Sequence, residues 1–220
     1  MNWSLLRSCP WLDTRAKFVA GVPDDACLLD LGSSDGETLG HIAELRPDLK
    51  LRAADVEGRP EVYPKGCEFA RLNLEQDSLP WPDASIDAVT CMHLVEHLSD
   101  LHKLVNEVAR VLKPGGKVYF ETPHPKTLAY NSPAGAAAGM FTMNFYDDPT
   151  HVRVVPAGVL ARLARAEGLA IERSGTSRNW LFAASWPAFY WLAPPSRKKF
   201  TAQAHWRGWS AYLIARRPAW

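Results

Sequence analysis

With 220 residues, 47% of them apolar and 22% charged, the chain has the composition of a globular protein and the length for one sizeable core. Its formal net charge is +1 and its longest run of basic residues is three, which argues against electrostatic binding of nucleic acid. The first thirty residues contain no uninterrupted apolar stretch of signal-peptide length, and the most apolar segment, residues 180–193, is too short to cross a membrane, so we expect a soluble, cytoplasmic protein. Cys27 and Cys91 lie in apolar runs and are expected to be buried, reduced thiols.

Strand and helix patterns alternate through the first half, after an N-terminal segment, residues 1–25, that we expect to be helical. The predicted strands are residues 26–31, 49–54, 67–72, 86–91 and 117–122, and the predicted helices are residues 37–45 and 100–112. Pro114-Gly-Gly116 is expected to end the second helix. Continuous apolar strands joined by helices are typical of a parallel sheet that is buried on both faces.

The second half changes character. Residues 123–155 have no clean periodicity and include the small-residue tract 134–139, so we predict an active-site loop there. A helix is expected over residues 156–167, and the last strands over 169–173 and 209–215. Between them lies an aromatic insertion, residues 180–206, with four of the nine tryptophans. No linker divides the chain, so residues 1–220 are predicted to be a single domain.

The turn after the first strand has the chemistry of a nucleotide site. Asp30 closes the strand, Gly32 and Gly36 permit a tight turn, and the helix that follows offers unpaired N–H groups. Nineteen residues past Gly36, at the end of the next strand, Asp55 can accept hydrogen bonds from both hydroxyls of a ribose. Because ligands bind at the carboxyl ends of parallel strands, Asp30, Asp55, Asn73 and the residues after Cys91 are expected around one pocket.

A dinucleotide is the rival ligand for this turn. Its fingerprint, G-x-G-x-x-G, needs glycines where this chain has Ser34 and Glu37. A pyrophosphate would also lie unfavourably close to the Glu37 carboxylate near the helix start. A sulfonium cofactor without phosphate meets neither objection.

Four blocks in this order resemble the class I S-adenosylmethionine-dependent methyltransferases, in particular the group that contains ubiquinone-biosynthesis and glycan O-methyltransferases. The blocks are Leu28-Leu-Asp-Leu-Gly-Ser-Ser-Asp-Gly36, Leu79-Pro-Trp-Pro-Asp-Ala-Ser-Ile-Asp-Ala-Val89, Glu96-His-Leu98 and Glu107-Val-Ala-Arg-Val-Leu-Lys-Pro-Gly-Gly116. The resemblance covers about residues 26–122, and residues 209–216 are similar to the family's last strand. It implies an α/β, Rossmann-like, doubly wound sheet of seven strands, with the last strand antiparallel between the fifth and sixth.

The resemblance also implies a set of residues that bind S-adenosylmethionine. Asp30, Gly32, Ser34 and Gly36 would form the turn against its methionine part, although Ser34 replaces the family's usual glycine. The remaining implied contacts are Asp55 to the ribose, Val56, Asn73 and Leu74 to the adenine, and Met92 and His93 at the methyl end.

The acceptor is predicted to be a small molecule or a glycan that is methylated at oxygen. Such a transfer often needs a base, and a histidine titrates near neutrality. His93, His97, His124 and His151 are the candidates. We favour His151 and His97 as catalytic residues, since Asp148-Pro-Thr-His151 resembles a stretch that some glycan-type methyltransferases place over the active site.

Other functions have less support in the sequence. His93-Leu-Val-Glu-His97 matches H-x-x-E-H, a zinc-peptidase signature, but it directly follows a strand of the methyltransferase pattern. We therefore predict no metal site. A divalent ion bound by Glu96 and His97 is the weaker alternative. Cys91-Met-His-Leu94 lacks the Pro-Pro motif of base-methylating enzymes, so nucleic acid is not an expected partner. Ser34 leaves open a non-catalytic, methyltransferase-like binding module. The aromatic insertion either packs over the sheet edge or a partner subunit or, through residues 180–199, contacts a membrane surface.

Overall fold

The computed structural model of the protein describes residues 3–132, 142–192 and 196–219. In that part of the chain seven strands form one sheet. The strands are β1 (Cys27–Leu31), β2 (Lys50–Asp55), β3 (Glu68–Arg71), β4 (Ile86–Met92), β5 (Leu112–Pro123), β6 (Ala170–Ser177) and β7 (Ser210–Arg216). Their order across the sheet is β3-β2-β1-β4-β5-β7-β6.

Strands β1 to β5 pair in parallel, whereas β7 runs antiparallel to both of its neighbours, β5 and β6. The chain order reverses between β1 and β4, which leaves a crevice at the carboxyl ends of these two strands. The predicted fold class is therefore confirmed: a doubly wound, Rossmann-like sheet of seven strands whose last strand is antiparallel.

Six α-helices accompany the sheet within the described residues. They are α1 (Thr14–Ala20), α2 (Glu37–Leu45), α3 (His102–Val111), α4 (Ala157–Ala166), α5 (Trp180–Leu192) and α6 (Arg197–Arg207). The aromatic insertion thus consists of two helices, α5 and α6. The predicted active-site loop contains two short 3-10 helices, Pro125–Ala129 and Phe145–Asp147, and its small-residue tract 134–139 lies outside the described residues.

The sheet is buried on both faces because successive side chains of a strand point to opposite sides. In β1, Leu29 and Leu31 belong to a cluster with side chains of α3 and α4, while Leu28 belongs to a cluster with side chains of α1 and α2. All three leucines have no exposed surface. Each contributes roughly 2 kcal/mol through burial. The helix layers therefore fix where the end of β1 lies.

The boundary between α3 and β5 differs from the prediction. The helix ends at Val111 and the strand begins at Leu112, so Pro114-Gly-Gly116 lies inside β5 and the predicted strand start at residue 117 was wrong. Leu112 already pairs with Ile86 of β4. Gly116 then passes close to β4, where an added Cβ would lie 3.0 Å from the carbonyl oxygen of Asp87. Glycine is used here for a close strand approach and not as a helix stop.

A search of the described helices for one with the length and apolar character of a membrane span finds none.

Candidate active site

The turn between β1 and α2 has an unusual backbone that its sequence explains. Gly32 and Gly36 both have φ +78°. Ser34, between them, also lies in the left-handed region with φ +44°, and its side chain is exposed. The amide of Gly32 donates to the carbonyl of Ala54 at 2.9 Å, which fastens the turn to β2. Because its side chain is exposed, Ser34 fits in the turn at the position where the family usually has a glycine.

Asp55 joins this turn to the loop after β2. Its carboxylate accepts a hydrogen bond from the amide of Ser34 and another from the amide of Glu57, both at 2.8 Å. Two backbone donors fix the orientation of the carboxylate, and each oxygen keeps a lone pair for a further donor. The side chain predicted to bind a ribose is thus held rigidly at the carboxyl edge of the sheet.

A cavity of 270 Å³ opens beside Asp55. Its lining residues are Gly32, Asp55, Val56, Leu72, Asn73, Leu74, Glu75, Leu94, His97 and Leu98. Five of the predicted cofactor residues therefore meet here, together with His97. The remaining five, Asp30, Ser34, Gly36, Met92 and His93, are not among the lining residues.

The chemistry of this cavity fits a nucleoside better than a phosphate. The lining described above combines the carboxylates of Asp55 and Glu75 with five aliphatic side chains and contains no Lys or Arg. Carboxylates suit a ribose diol and aliphatic walls suit an adenine ring, whereas a pyrophosphate requires positive charge or a cluster of amides. The residues present fit the cofactor that the sequence predicts and do not fit a dinucleotide.

Asp30 lies beneath the glycine turn and not in the cavity wall. Only 2% of its surface is exposed, and its carboxylate accepts a hydrogen bond from the hydroxyl of Thr90 on β4 at 2.6 Å. Burial, opposed by that hydrogen bond and reinforced by the charge of Asp55, raises the pKa of Asp30 to about 7. In this structure Asp30 supports the turn from inside.

His93 follows β4 at the carboxyl edge and adopts φ +54°, a strained conformation for a histidine. Its ring nitrogens lie 3.1 Å from a carboxylate oxygen of Glu96 and 3.2 Å from one of Glu121. Burial opposes charge on the ring, but the hydrogen bonds and charges of Glu121 and Glu96 outweigh it and raise the pKa of His93 to about 9. A histidine held as a cation between two carboxylates is a poor base at neutral pH.

Glu121 of β5 is the centre of this network, and its role was not predicted from the sequence. It is fully buried, it accepts hydrogen bonds from the guanidinium of Arg15 in α1, and it accepts another from the hydroxyl of Tyr119 at 2.5 Å. Although burial alone would raise it, the charge of Arg15 and the hydrogen bond with His93 hold the pKa of Glu121 well below its usual range. The only sequence signal was a carboxylate at the end of an apolar strand.

His97 and His151 lie against each other, with ring centroids 4.9 Å apart. The Nδ1 atom of His97 is 3.0 Å from the hydroxyl oxygen of Thr150 and 3.2 Å from its carbonyl oxygen. The hydroxyl proton of Thr150 is donated to Asp148 at 2.6 Å, so both oxygens are acceptors and Nδ1 of His97 is the donor. In the neutral ring this leaves Nε2 with a free lone pair.

His151 is fixed by its surroundings. Its Nδ1 donates to the carbonyl of Phe145 at 2.6 Å, and its ring stacks on the ring of Phe145 at 4.4 Å. Its side chain is only 4% exposed, and Nε2 is 3.9 Å from a carboxylate oxygen of Asp148. The segment that carries it is attached to the sheet edge, because the amide of Val152 donates to the carbonyl of Glu96 at 2.8 Å.

The H-x-x-E-H sequence does not form the helix that a zinc peptidase needs. His93 follows the end of β4, and within this motif only Val95–His97 forms a short 3-10 helix. Potential ligand atoms of Glu96, His97 and His151 do lie within 4.8 Å of one another.

His124, the fourth predicted candidate for a base, caps a short helix. Its Nδ1 accepts a hydrogen bond from the amide of Lys126 at 3.1 Å. Burial and the charge of Lys126 lower the pKa of His124. Its ring nitrogen therefore already has a structural function.

A second and larger cavity, of 820 Å³, includes Met92 at the end of β4. Its walls come from the N-terminal segment, α2, α5 and α6. The lining residues are Trp3, Asp13, Arg15, Glu37, Thr38, His41, Met92, Asn179, Phe182, Arg197, Lys198, Thr201 and His205. Two stacked pairs flank it, Trp3 with His41 at 5.5 Å and Phe182 with His205 at 5.9 Å between centroids. The sequence did not predict this cavity, since its walls are far apart along the chain.

Comparison with known proteins decides the family. The sequence profile of the family described as Methyltransferase domain matches residues 5–174, more than three quarters of the chain. This chain belongs to the class I S-adenosylmethionine-dependent methyltransferases. It is an enzyme, and its cofactor is S-adenosylmethionine. The non-catalytic binding module and the dinucleotide enzyme, both considered from the sequence, are not supported.

Individual relatives agree with this assignment. The methyltransferase is 30% identical over 177 residues to the ubiquinone biosynthesis O-methyltransferase of Pseudoalteromonas translucida, covering 76% of this chain and 73% of that protein. It is 29% identical over 169 residues to the protein of the same name from Thiobacillus denitrificans, covering 74% and 70%. A solved S-adenosylmethionine-dependent methyltransferase from Aquifex aeolicus has the same fold, with a TM-score of 0.60 and 15% identity over 97% of this chain and 93% of that chain.

Gly36→Ala is expected to destabilise the methyltransferase by about 2–4 kcal/mol, through strain at positive φ together with overpacking. An added Cβ would lie 2.5 Å from the ring of Tyr63, whose hydroxyl bonds Ser33 at 2.8 Å and the carbonyl of Ser34 at 3.0 Å. Gly66→Ala is the matched control, because Gly66 has φ +84° and open space around it, so only the strain of about 1 kcal/mol applies. Urea denaturation of both variants measures the difference; equal losses would contradict the contact with Tyr63.

Asp30→Asn tests the burial of that carboxyl group. Because its pKa is raised to about 7 in the folded protein, Asp30 favours folding at pH 4, and this contribution is lost as the pH rises towards 8. Asparagine keeps an acceptor for the Thr90 hydroxyl but does not titrate. The Tm of the variant minus that of the wild type, without cofactor, should therefore increase by about 5 °C between pH 4 and pH 8. A difference independent of pH would show that Asp30 titrates normally.

Proposed function

We propose that this methyltransferase acts on a hydroxyl group of a small aromatic acceptor. The observation that carries the proposal is the 820 Å³ cavity, whose lining includes Met92 and two stacked aromatic pairs. Ring faces such as those of Trp3 and Phe182 favour a flat partner. The names of the relatives, ubiquinone biosynthesis O-methyltransferases, support oxygen as the atom methylated.

For the cofactor we propose the 270 Å³ cavity and the glycine turn beside it. Asp55 would accept hydrogen bonds from the ribose, with Val56, Asn73 and Leu74 around the adenine. Gly32, Ser34 and Gly36 would leave room for the methionine part, supported from beneath by Asp30. When bound, S-adenosylmethionine supplies an electrophilic methyl group on a sulfonium, and Met92 and His93 would lie at that end.

For proton removal we propose His97, in the wall of the 270 Å³ cavity, as the base and His151 as the residue that orients it; this requires the acceptor hydroxyl to extend from the larger cavity to Nε2 of His97. The hydrogen bonds from His97 to Thr150 and from Thr150 to Asp148 support this assignment, because they fix the tautomer of His97 with a lone pair on Nε2. His151, stacked on Phe145, contacts the ring of His97 and restricts its movement. His93 is assigned a different role: a fixed cation that anchors the end of β4.

A glycan acceptor and a nucleic-acid acceptor are both less well supported. The relatives named above are ubiquinone biosynthesis O-methyltransferases, and neither name refers to a glycan or a nucleic acid. We further infer a reducing compartment such as the cytoplasm. Cys27 and Cys91 are reduced thiols, and burial raises their pKa values, which keeps them unreactive.

Asp55→Asn should weaken binding of S-adenosylhomocysteine by about 30- to 100-fold, the loss of a charged acceptor for the ribose hydroxyls. Asparagine retains one oxygen for the amide of Ser34, so the turn should keep its shape. Asp35→Asn is the control, since it removes the same charge from an exposed position in the same turn, where Asp35 only accepts from the amide of Glu37. Isothermal titration calorimetry measures both; unchanged affinity in Asp55→Asn would refute the proposed ribose contact.

His97→Asn should lower kcat by a factor of about 10² to 10⁴, the usual contribution of a general base. The asparagine amide can replace Nδ1 as donor to Thr150 but has nothing in the place of Nε2. Release of S-adenosylhomocysteine is measured with a panel of catechols, monohydric phenols and monosaccharides, and calorimetry checks that cofactor affinity is kept. Turnover of phenols at the wild-type rate by the variant would remove His97 from the mechanism, and turnover of sugars alone would refute the aromatic acceptor.

A further inference from the structure

Helices α5 and α6 carry an outer surface that the methyl-transfer site does not explain. We call it the aromatic–basic surface. It consists of Trp180, Leu181, Tyr190, Trp191 and Trp206, with the basic residues Arg178, Lys199 and Arg207 beside them. Both helices lie in the connection between β6 and β7.

Helix α5 is apolar on all sides yet lies at the surface. Its 13 residues, WLFAASWPAFYWL, include no charged side chain, and Ala183 is the only one that is buried among those whose burial is described. Trp191 is 81% exposed, Trp180 and Tyr190 are each 55% exposed, and Leu181 is 51% exposed. A helix of this composition is normally covered by protein or by lipid.

The charge of the chain is distributed very unevenly. From residue 173 to residue 220 there are eight Arg and Lys and no Asp or Glu, whereas residues 1–172 contain 17 basic and 24 acidic residues. The overall charge of +1 therefore conceals a basic segment that contains the whole aromatic–basic surface. Such an asymmetry is typical of binding to a negatively charged surface.

Basic groups lie against aromatic rings at two points of the surface. The guanidinium of Arg178 lies 5.6 Å from the ring centre of Trp180, and the ammonium of Lys199 lies 5.9 Å from that of Tyr190. Trp206 is 51% exposed beside Arg207. Tryptophan and tyrosine favour the level of lipid headgroups, where neighbouring Lys and Arg reach the phosphates.

We propose that the aromatic–basic surface docks the protein onto a membrane that contains anionic lipid. A second copy of this chain fits less well, because a two-fold contact would bring the same basic residues together. An anionic bilayer supplies the missing negative charge, and its interface accepts the exposed indole rings. Single attractions of this kind are weak, but several basic residues together with buried aromatic rings bind measurably.

The position of the surface connects it with the larger cavity. Phe182, Lys198 and Thr201, from the same two helices, line the 820 Å³ cavity that contains Met92. If the proposed aromatic acceptor carries a lipophilic tail, a docked enzyme receives it from the bilayer directly at the cavity wall. This consequence rests on the proposed function, whereas the docking itself does not.

Flotation of the full chain with vesicles measures the docking without any acceptor or cofactor. Vesicles of equal parts phosphatidylglycerol and phosphatidylcholine should bind the protein at low salt, and binding should fall in high salt. Vesicles of phosphatidylcholine alone should bind much less. Lack of binding to the anionic vesicles at low salt, or equal binding to both kinds, would overturn the proposal.

Variants separate the two components of the surface. Reversing two charges with Lys199→Glu and Arg207→Glu should lower the partition coefficient by at least about 30-fold, since each basic residue near an anionic surface changes binding by roughly fivefold. Trp191→Ser should lower it by roughly tenfold, because a large apolar side chain stays in water. Tyr146→Ser is the matched control, since Tyr146 is 74% exposed and lies outside α5 and α6.

Three further measurements keep the variants interpretable. Circular dichroism and cofactor calorimetry must match the wild type, which is expected because Trp191 and Arg207 are exposed. Sedimentation velocity tests the competing occupant: a wild-type dimer that Trp191→Ser converts to a monomer, with no vesicle binding, would assign the surface to a second copy. Equal loss of vesicle binding in Tyr146→Ser would also contradict the proposal.

Discussion

The buried charge of Glu121 is the constraint on which the arrangement of α1, the end of β4 and the wall of the larger cavity depends. A carboxylate with no exposed surface is costly unless its charge is matched, and Arg15, Tyr119 and His93 supply that match. These partners come from α1, β5 and the end of β4. The N-terminal helix, the strand edge and the wall of the larger cavity are consequently held together by one buried cluster, so none of them can shift alone without leaving a charge unpaired.

Much of the fold was predictable because its determinants are local in sequence. Apolar runs bounded by turn residues indicated the strands, and the spacing from Gly36 to Asp55 indicated a nucleotide-type crossover. The start of β5 was not predictable. Pro114-Gly-Gly116 has the composition of a helix stop, and only the approach of β4, which leaves no room for a Cβ at Gly116, makes it part of a strand. The contact between β4 and β5 sets the start of this strand at Leu112, whereas local residue preferences had placed it at residue 117.

The site was predictable to the extent that parallel strands bring their carboxyl ends to one edge. Gly32, Asp55 and Asn73 meet in one cavity for that reason. Side-chain direction at a strand end is harder to anticipate, and Asp30 points to Thr90 inside the sheet. Pairings across long separations have no local signal: the partners Arg15 and Glu121 are 106 residues apart, and four different segments form the larger cavity.

The antiparallel last strand has a consequence for how this enzyme could diversify. Because Ser177 at the end of β6 pairs with Ser210 at the start of β7, the whole connection between them leaves and returns at one point of the sheet. Its length and sequence are thus uncoupled from the register of the other strands. Exchange of this one connection between related proteins would change the surface on which the enzyme docks and the acceptors that enter its larger cavity. The rest of the sheet would be inherited unchanged.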